Sequence, residues 1–249
     1  MSKVIIYTAK SRYDREWKRV ETTFESIAKA FKNTKRTTET QEQYFKMDKI
    51  KQDNIKDIGG FIGATLKDNL RRNANILTKT LITLDIDYGK ENIKERVYQV
   101  YKDYSYIIYS THKHHPKKPR VRLVFEISRE CSPLEYEAVS RYIASLLNIN
   151  EFDESTFEPA RFMYYPSTSK DAEYLYHYNK AKPVDIDSIL AKYKNYQDPA
   201  EWIYHEKEKP KIHTSKVKAQ DPLTKNGYIG TFCRAYPITL AIETFLSNI

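Results

Sequence analysis

Between Leu81 and Phe125 the chain reads LITLDIDYGKENIKERVYQVYKDYSYIIYSTHKHHPKKPRVRLVF, and this stretch leaves few options for the fold. Short apolar runs bounded by polar and turn residues read as strands, whereas apolar residues at every third or fourth position read as one face of a helix. The spacing predicts a strand over 81–87, a helix over 91–102, and strands over 105–110 and 120–127. A helix over 133–147 follows: Ser132 suits the N-cap, Pro133 the first helical position, and Glu135 completes a capping box. A strand over 161–165 closes the pattern.

The resulting order, βαββαβ, predicts a mixed α/β (α+β) domain of ferredoxin-like type, with an antiparallel sheet in the order four, one, three, two. In that order the C-terminal ends of strands one and two share an edge with the N-terminal ends of strands three and four. Asp85, Asp87, Ser110, His112, Arg120 and Arg122 are therefore expected on one edge, together with the segment from Asp153 to Arg161.

Before this unit the sequence predicts an additional N-terminal α/β portion. KVIIYT at 3–8 reads as a strand, and Thr22 and Glu25 have capping-box spacing ahead of Phe24, Ile27, Ala28 and Phe31. A very polar helix is expected over 40–55, then Gly59 and Gly60 break the pattern before a strand in FIGATL. The Arg71-Arg72 pair reads as a surface feature or as a phosphate contact. Asp185 and Asp187 read as the N-cap and first turn of a short helix.

Residues 1–200 are thus expected to form the principal domain. A lysine-rich linker is expected over 201–226, and a helical segment over 227–249 leading towards a further module. With 42 Lys and Arg against 33 Asp and Glu, the net charge of +9 favours polyanionic partners. The 21 tyrosines supply faces on which unpaired bases can stack. Cys131 and Cys233 form no CxxC pair, which argues against a disulfide framework or a zinc ribbon. The sequence contains neither a signal-peptide core nor a bilayer-spanning run, so a cytoplasmic protein without membrane contact is expected.

The D-x-D at the end of the first strand carries the chemistry. Strand side chains alternate, so Asp85 and Asp87 point the same way, and two such carboxylates repel unless a cation lies between them. Mg²⁺ or Mn²⁺ with nucleotide phosphates meets that demand. Asp153 in NEFDESTFEPARF is placed to join them, and His112, Arg120, Arg122 and Arg161 offer the positive charge that a triphosphate needs.

LDID, the S-x-H of YSTH, the PRVRLVF strand and FDESTFEPARFMYYPS together resemble the motifs of the archaeo-eukaryotic primase (AEP) superfamily, in particular the primase-polymerase domains of phages and mobile elements. The resemblance runs from the N-terminal strand to about Tyr178, with weaker similarity through GYIGTFCRAYPITLAIETFL. It implies that Asp85 and Asp87 are metal ligands, and that Ser110 and His112 contact the nucleotide. It assigns the third acidic position to Asp153, which follows the apolar Phe152, and leaves Arg120, Arg122 and Arg161 for the phosphates.

The implied activity is template-dependent nucleotidyl transfer, as a DNA primase or polymerase. A single-stranded DNA template and (deoxy)nucleoside triphosphates are the implied substrates, and a fused or associated helicase is the implied partner. No G-x-x-x-x-G-K-S/T motif occurs in the sequence. Two other readings stand beside it: a non-catalytic single-strand-binding module, and a rolling-circle nickase whose metal pair would be His112 and His114 flanking Lys113.

Overall fold

The computed structural model describes residues 3–208. The fold is mixed α/β with antiparallel sheets, as expected. The central sheet has five strands in the order β11 (Tyr176–Asn179), β7 (Tyr106–Ser110), β8 (Val121–Cys131), β6 (Ile76–Ile86) and β5 (Ala64–Leu66). A second sheet orders β2 (Lys18–Thr23), β1 (Lys3–Ala9), β4 (Gly60–Ile62) and β9 (Met163–Tyr164). β3 (Lys35–Arg36) and β10 (Ser167–Thr168) form a small parallel ladder.

The central sheet is covered on both faces, which is why its inner strands read as nearly continuous apolar runs. Ile82, Leu84, Ile86, Tyr106, Ile108, Leu123 and Phe125 pack on the helical side. There they meet α4 (Ile93–Tyr101), α5 (Pro133–Leu147) and α6 (Ile186–Leu190) through Val97, Tyr101, Tyr136, Val139, Ile143 and Ile189. The alternate residues Leu81, Ile107, Tyr109 and Val124 join Ile6 of β1, Phe61 of β4, Met163 of β9, and Phe24 and Phe31 of α1 (Phe24–Phe31).

Local signals account for most boundaries. The Ser132–Glu135 capping box starts α5 as the sequence predicts, and Asp185 caps α6 by accepting from the Ser188 N–H. Thr23, rather than Thr22, caps α1, because residues up to Thr23 are drawn into β2 against β1. The expected helix over 40–55 is two helices, α2 (Gln41–Lys46) and α3 (Lys49–Lys56), since Met47 is extended and Asp48 starts a new cap.

The fourth strand is the main departure. β6, β8 and β7 lie in the expected order one, three, two, but the place beside β6 is taken by β5. The expected strand over 161–165 instead contributes β9, which pairs with β4 in the second sheet. Only Phe152 bridges to Ile86. Beyond it Asp153 caps a short 3-10 turn over Glu154–Phe157, and Pro159 has no N–H to give a ladder. Glycine explains the alternative pairing: a Cβ at Gly60 would lie 2.2 Å from the Met163 carbonyl oxygen.

FIGATL is likewise two strands. Gly63 separates β4 from β5 and passes the chain from one sheet to the other; a Cβ there would lie 2.5 Å from that of Leu81. At the far end, Arg141 of α5 holds Glu208 with two hydrogen bonds of 2.6 and 2.8 Å, and its guanidinium lies over Phe157 and Tyr204. The chain is therefore docked on the domain as far as Glu208. The remainder of the expected linker and the helical segment over 227–249 lie outside the described residues.

Candidate active site

The end of β6, the start of β8 and the 153–167 segment enclose a cleft of about 310 Å³, with α3 on the opposite wall. Asp85, Asp87, Asp153 and Asp53 line it together with Lys49, Lys56, Lys113, Arg120, Arg122 and Arg161. The edge expected from the strand pattern thus supplies one wall, and α3, part of the helical stretch expected over 40–55 but given no role in the site, supplies the other.

Asp85 faces Arg122 across the β6–β8 pairing, with Arg122 Nε 3.4 Å from Asp85 Oδ2. Both are buried, and the guanidinium also lies over the rings of Tyr164 and Tyr109. Arg161 approaches the same oxygen at 3.8 Å. The other oxygen, Oδ1, is buried without a hydrogen-bond partner. A buried carboxyl oxygen in that state calls for a cation or a donor brought by a ligand.

Asp87 meets Arg120 at 3.5 Å. Burial first, then the charge of Asp85, pushes its carboxyl above the ordinary range despite Arg120. Asp153 behaves in the opposite way. Burial would raise it, but the Arg161 charge and the donors of Ser155 outweigh that, and its carboxyl lies below the usual range. Its side chain is taken up by Arg161 and by the Ser155 N–H and hydroxyl, while its backbone N–H donates to the Asp85 carbonyl at 2.9 Å. Among the described residues no three His, Cys, Asp or Glu side chains stand together as a ready-made metal cage. The donor set fits a divalent cation through Asp85 and Asp87, on the strength of the orphaned Oδ1 and the mutual repulsion of the pair.

The remaining candidates divide. His112 lines the cleft, yet both ring nitrogens are engaged, Nε2 with Glu39 and Nδ1 with Ser167. Ser110 does not line it: its hydroxyl accepts from the Leu175 N–H at 3.1 Å. His114 accepts from the Arg120 N–H at 3.2 Å, so the two histidines around Lys113 serve separate partners. Arg71 donates to the Ala160 carbonyl and covers Trp17, which makes it a packing residue.

Sequence reasoning missed Lys49, Asp53 and Lys56, Lys113, and the Glu39 and Ser167 partners of His112. One signal was available: positions 49, 53 and 56 recur at helical spacing and so share one face of α3. Arg12 joins this wall at 3.4 Å from Asp53, and Lys56 bonds the same carboxylate at 2.7 Å.

The molecule is thus a mixed α/β domain whose cleft sets acidic residues against arginines and lysines. The chain belongs to the VapE N-terminal domain family, whose model matches residues 1–205. Among solved structures it is similar to the AEP domain of the cyanophage S-2L primase-polymerase (PrimPol; PP-N190). That similarity has a TM-score of 0.40 and 9% identity, covering 76% of this chain and 88% of the other. No curated protein matches it. Among the described residues no helix is long and apolar enough to cross a membrane.

Proposed function

We propose that this domain is a template-dependent nucleotidyltransferase, a DNA primase or polymerase, acting on a single-stranded DNA template with nucleoside triphosphates and working beside a helicase. The observation that carries the reading is the opposition within one cleft of Asp85 and Asp87, with an orphaned carboxylate oxygen, to the cations on β8, α3 and the Arg161 segment. The motif resemblance points the same way.

Asp85 and Asp87 would hold Mg²⁺ or Mn²⁺, which when bound lowers the pKa of an attacking hydroxyl and offsets charge on the leaving pyrophosphate. The protein's own residues bind and orient. Arg120 and Arg122, paired with Asp87 and Asp85, would turn to phosphate oxygens, Arg161 would join them from its pairing with Asp153, and Lys113 adds charge beside them. The Lys113 ammonium is depressed by burial, then by Lys56 and Arg120, so an anion placed among these groups relieves their repulsion.

The test supplies a single-stranded template, Mn²⁺ or Mg²⁺ and labelled nucleotides to the parent chain and to Asp85→Ala/Asp87→Ala. Incorporation by the parent and its loss to background in the variant are expected. Equal incorporation by both would overturn the reading.

A further inference from the structure

His112 stands in the cleft wall with no ring nitrogen left over for a ligand. Nε2 lies 3.0 Å from Glu39 Oε1, and Nδ1 lies 3.0 Å from Ser167 Oγ. Exposure is 8% at Glu39 and 3% at both His112 and Ser167, and of these side chains His112 and Ser167 line the cleft. The parallel β3–β10 ladder brings the Glu39 turn beside Ser167 by pairing Ser167 with Lys35 and Thr168 with Arg36.

The proton arrangement follows from the partners. Glu39 Oε1 also accepts from Thr37 Oγ1 at 2.6 Å and from Ser169 Oγ at 3.1 Å. Burial would raise this carboxyl, but Thr37, its own backbone, His112 and Ser169 together hold it below the usual range, so it is ionised. An ionised carboxylate accepts only, and Nε2 must therefore carry a hydrogen. While the ring is neutral, Nδ1 accepts the Ser167 hydroxyl hydrogen and the serine turns its lone pairs outward. Once Nδ1 is protonated the bond reverses: Nδ1–H donates to Ser167 Oγ, and the hydroxyl hydrogen is free to donate into the cleft.

We propose that Ser167 is the phosphate-contacting end of a Glu39–His112–Ser167 relay. In this relay a polyphosphate entering the cleft draws one proton from solvent onto His112 Nδ1 and turns the Ser167 hydroxyl towards itself. The inference rests on the reading that nucleoside triphosphates occupy this cleft, and it moves the phosphate contact from the imidazole to a hydroxyl. The groups around the ring set the balance. Burial foremost, and Lys56 of α3, favour the neutral ring, whereas Glu39 favours the charged one. The Tyr44 ring of α2 packs 4.4 Å from the imidazole, and the Ser169 hydroxyl lies 3.4 Å from Nε2. A bound polyphosphate adds negative charge on the open side and tips this balance. Glu39 is then a positioning residue that fixes which nitrogen is free to take the proton.

The parent protein with ¹⁵N-labelled histidine is titrated with tripolyphosphate, without metal or template. The Nδ1 resonance of His112 should move from the acceptor position to the protonated one, with uptake of one proton seen by calorimetry in buffers of different ionisation enthalpy. Ser167→Ala should weaken tripolyphosphate binding about tenfold, equivalent to about 1.4 kcal/mol, while Ser167→Thr keeps it within about threefold. Glu39→Gln should abolish the Nδ1 change. An unmoved Nδ1 at saturation, unchanged binding by Ser167→Ala, or a covalent Ser167 adduct in the intact mass would overturn the relay. Because the readout is binding, a protein that shows the shift yet never incorporates nucleotides would retain the relay and lose the polymerase reading. Incorporation without the shift would do the reverse.

Discussion

Lys79 lies on β6 with its ammonium fully buried, donating to the Pro159 carbonyl at 2.8 Å and resting 4.2 Å from the centre of the Tyr136 ring. Burial lowers it from 10.5 to about 7. Between those values the unfolded chain holds a proton that the folded one has released, so this residue makes stability rise with pH across that window. Lys79→Met removes the titrating group and keeps the stem. Denaturant titrations at pH 6, 8 and 10 should show a flatter pH dependence for the variant, its advantage over the parent shrinking as pH rises. At Asp87 the expected response is to a metal. Mn²⁺ at about ten times its Kd should stabilise the parent by about 1.4 kcal/mol, a rise of roughly 3–6 °C in Tm for a chain of this size. Asp87→Asn should lose most of that rise in the same melting experiment, and an equal rise in both proteins would remove Asp87 from the proposed metal site.

At the scale of elements, Gly63 links β4 to β5 against the Leu81 side chain. Gly63→Ala forces a methyl into a space already filled and should cost about 1–3 kcal/mol, read as a lower denaturant midpoint with an unchanged slope. Local signals made the elements around this point legible. The Ser132–Glu135 box, the β6, β7 and β8 runs and the period-two placement of Asp85 beside Asp87 are written within a few residues of where they act. What stayed hidden depends on remote pairing. Residues 163–164 choose β4 over β6 because Gly60 admits their backbone, across about a hundred positions of sequence. Glu39 and Ser167 reach His112 from 73 and 55 positions away, through a ladder two residues long that carries no periodicity of its own. The α3 wall was readable as a helix, but nothing local says that its Lys49–Asp53–Lys56 face looks across at Asp85.

Over the whole described domain, the two tryptophans sample different regions. Trp17 packs with Phe162 and Ala64 beside the second sheet, whereas Trp202 belongs to the cluster beneath α5. Segment 60–66 contributes backbone to both sheets, and Leu81 and Phe61 share one cluster. Neither sheet can be peeled away without tearing strands from the other, so the regions should melt as one cooperative unit. Trp17→Phe and Trp202→Phe each leave a single fluorescent reporter. Within each variant, the fluorescence and circular dichroism midpoints should coincide, whereas separate midpoints would mean that the regions unfold independently. The glycine that carries the chain between sheets therefore acts as a mechanical seam: Asp85 and Arg122 on the central sheet and Tyr164 on the second, which share the cleft, are lost in the same step, and no intermediate should retain half a binding site.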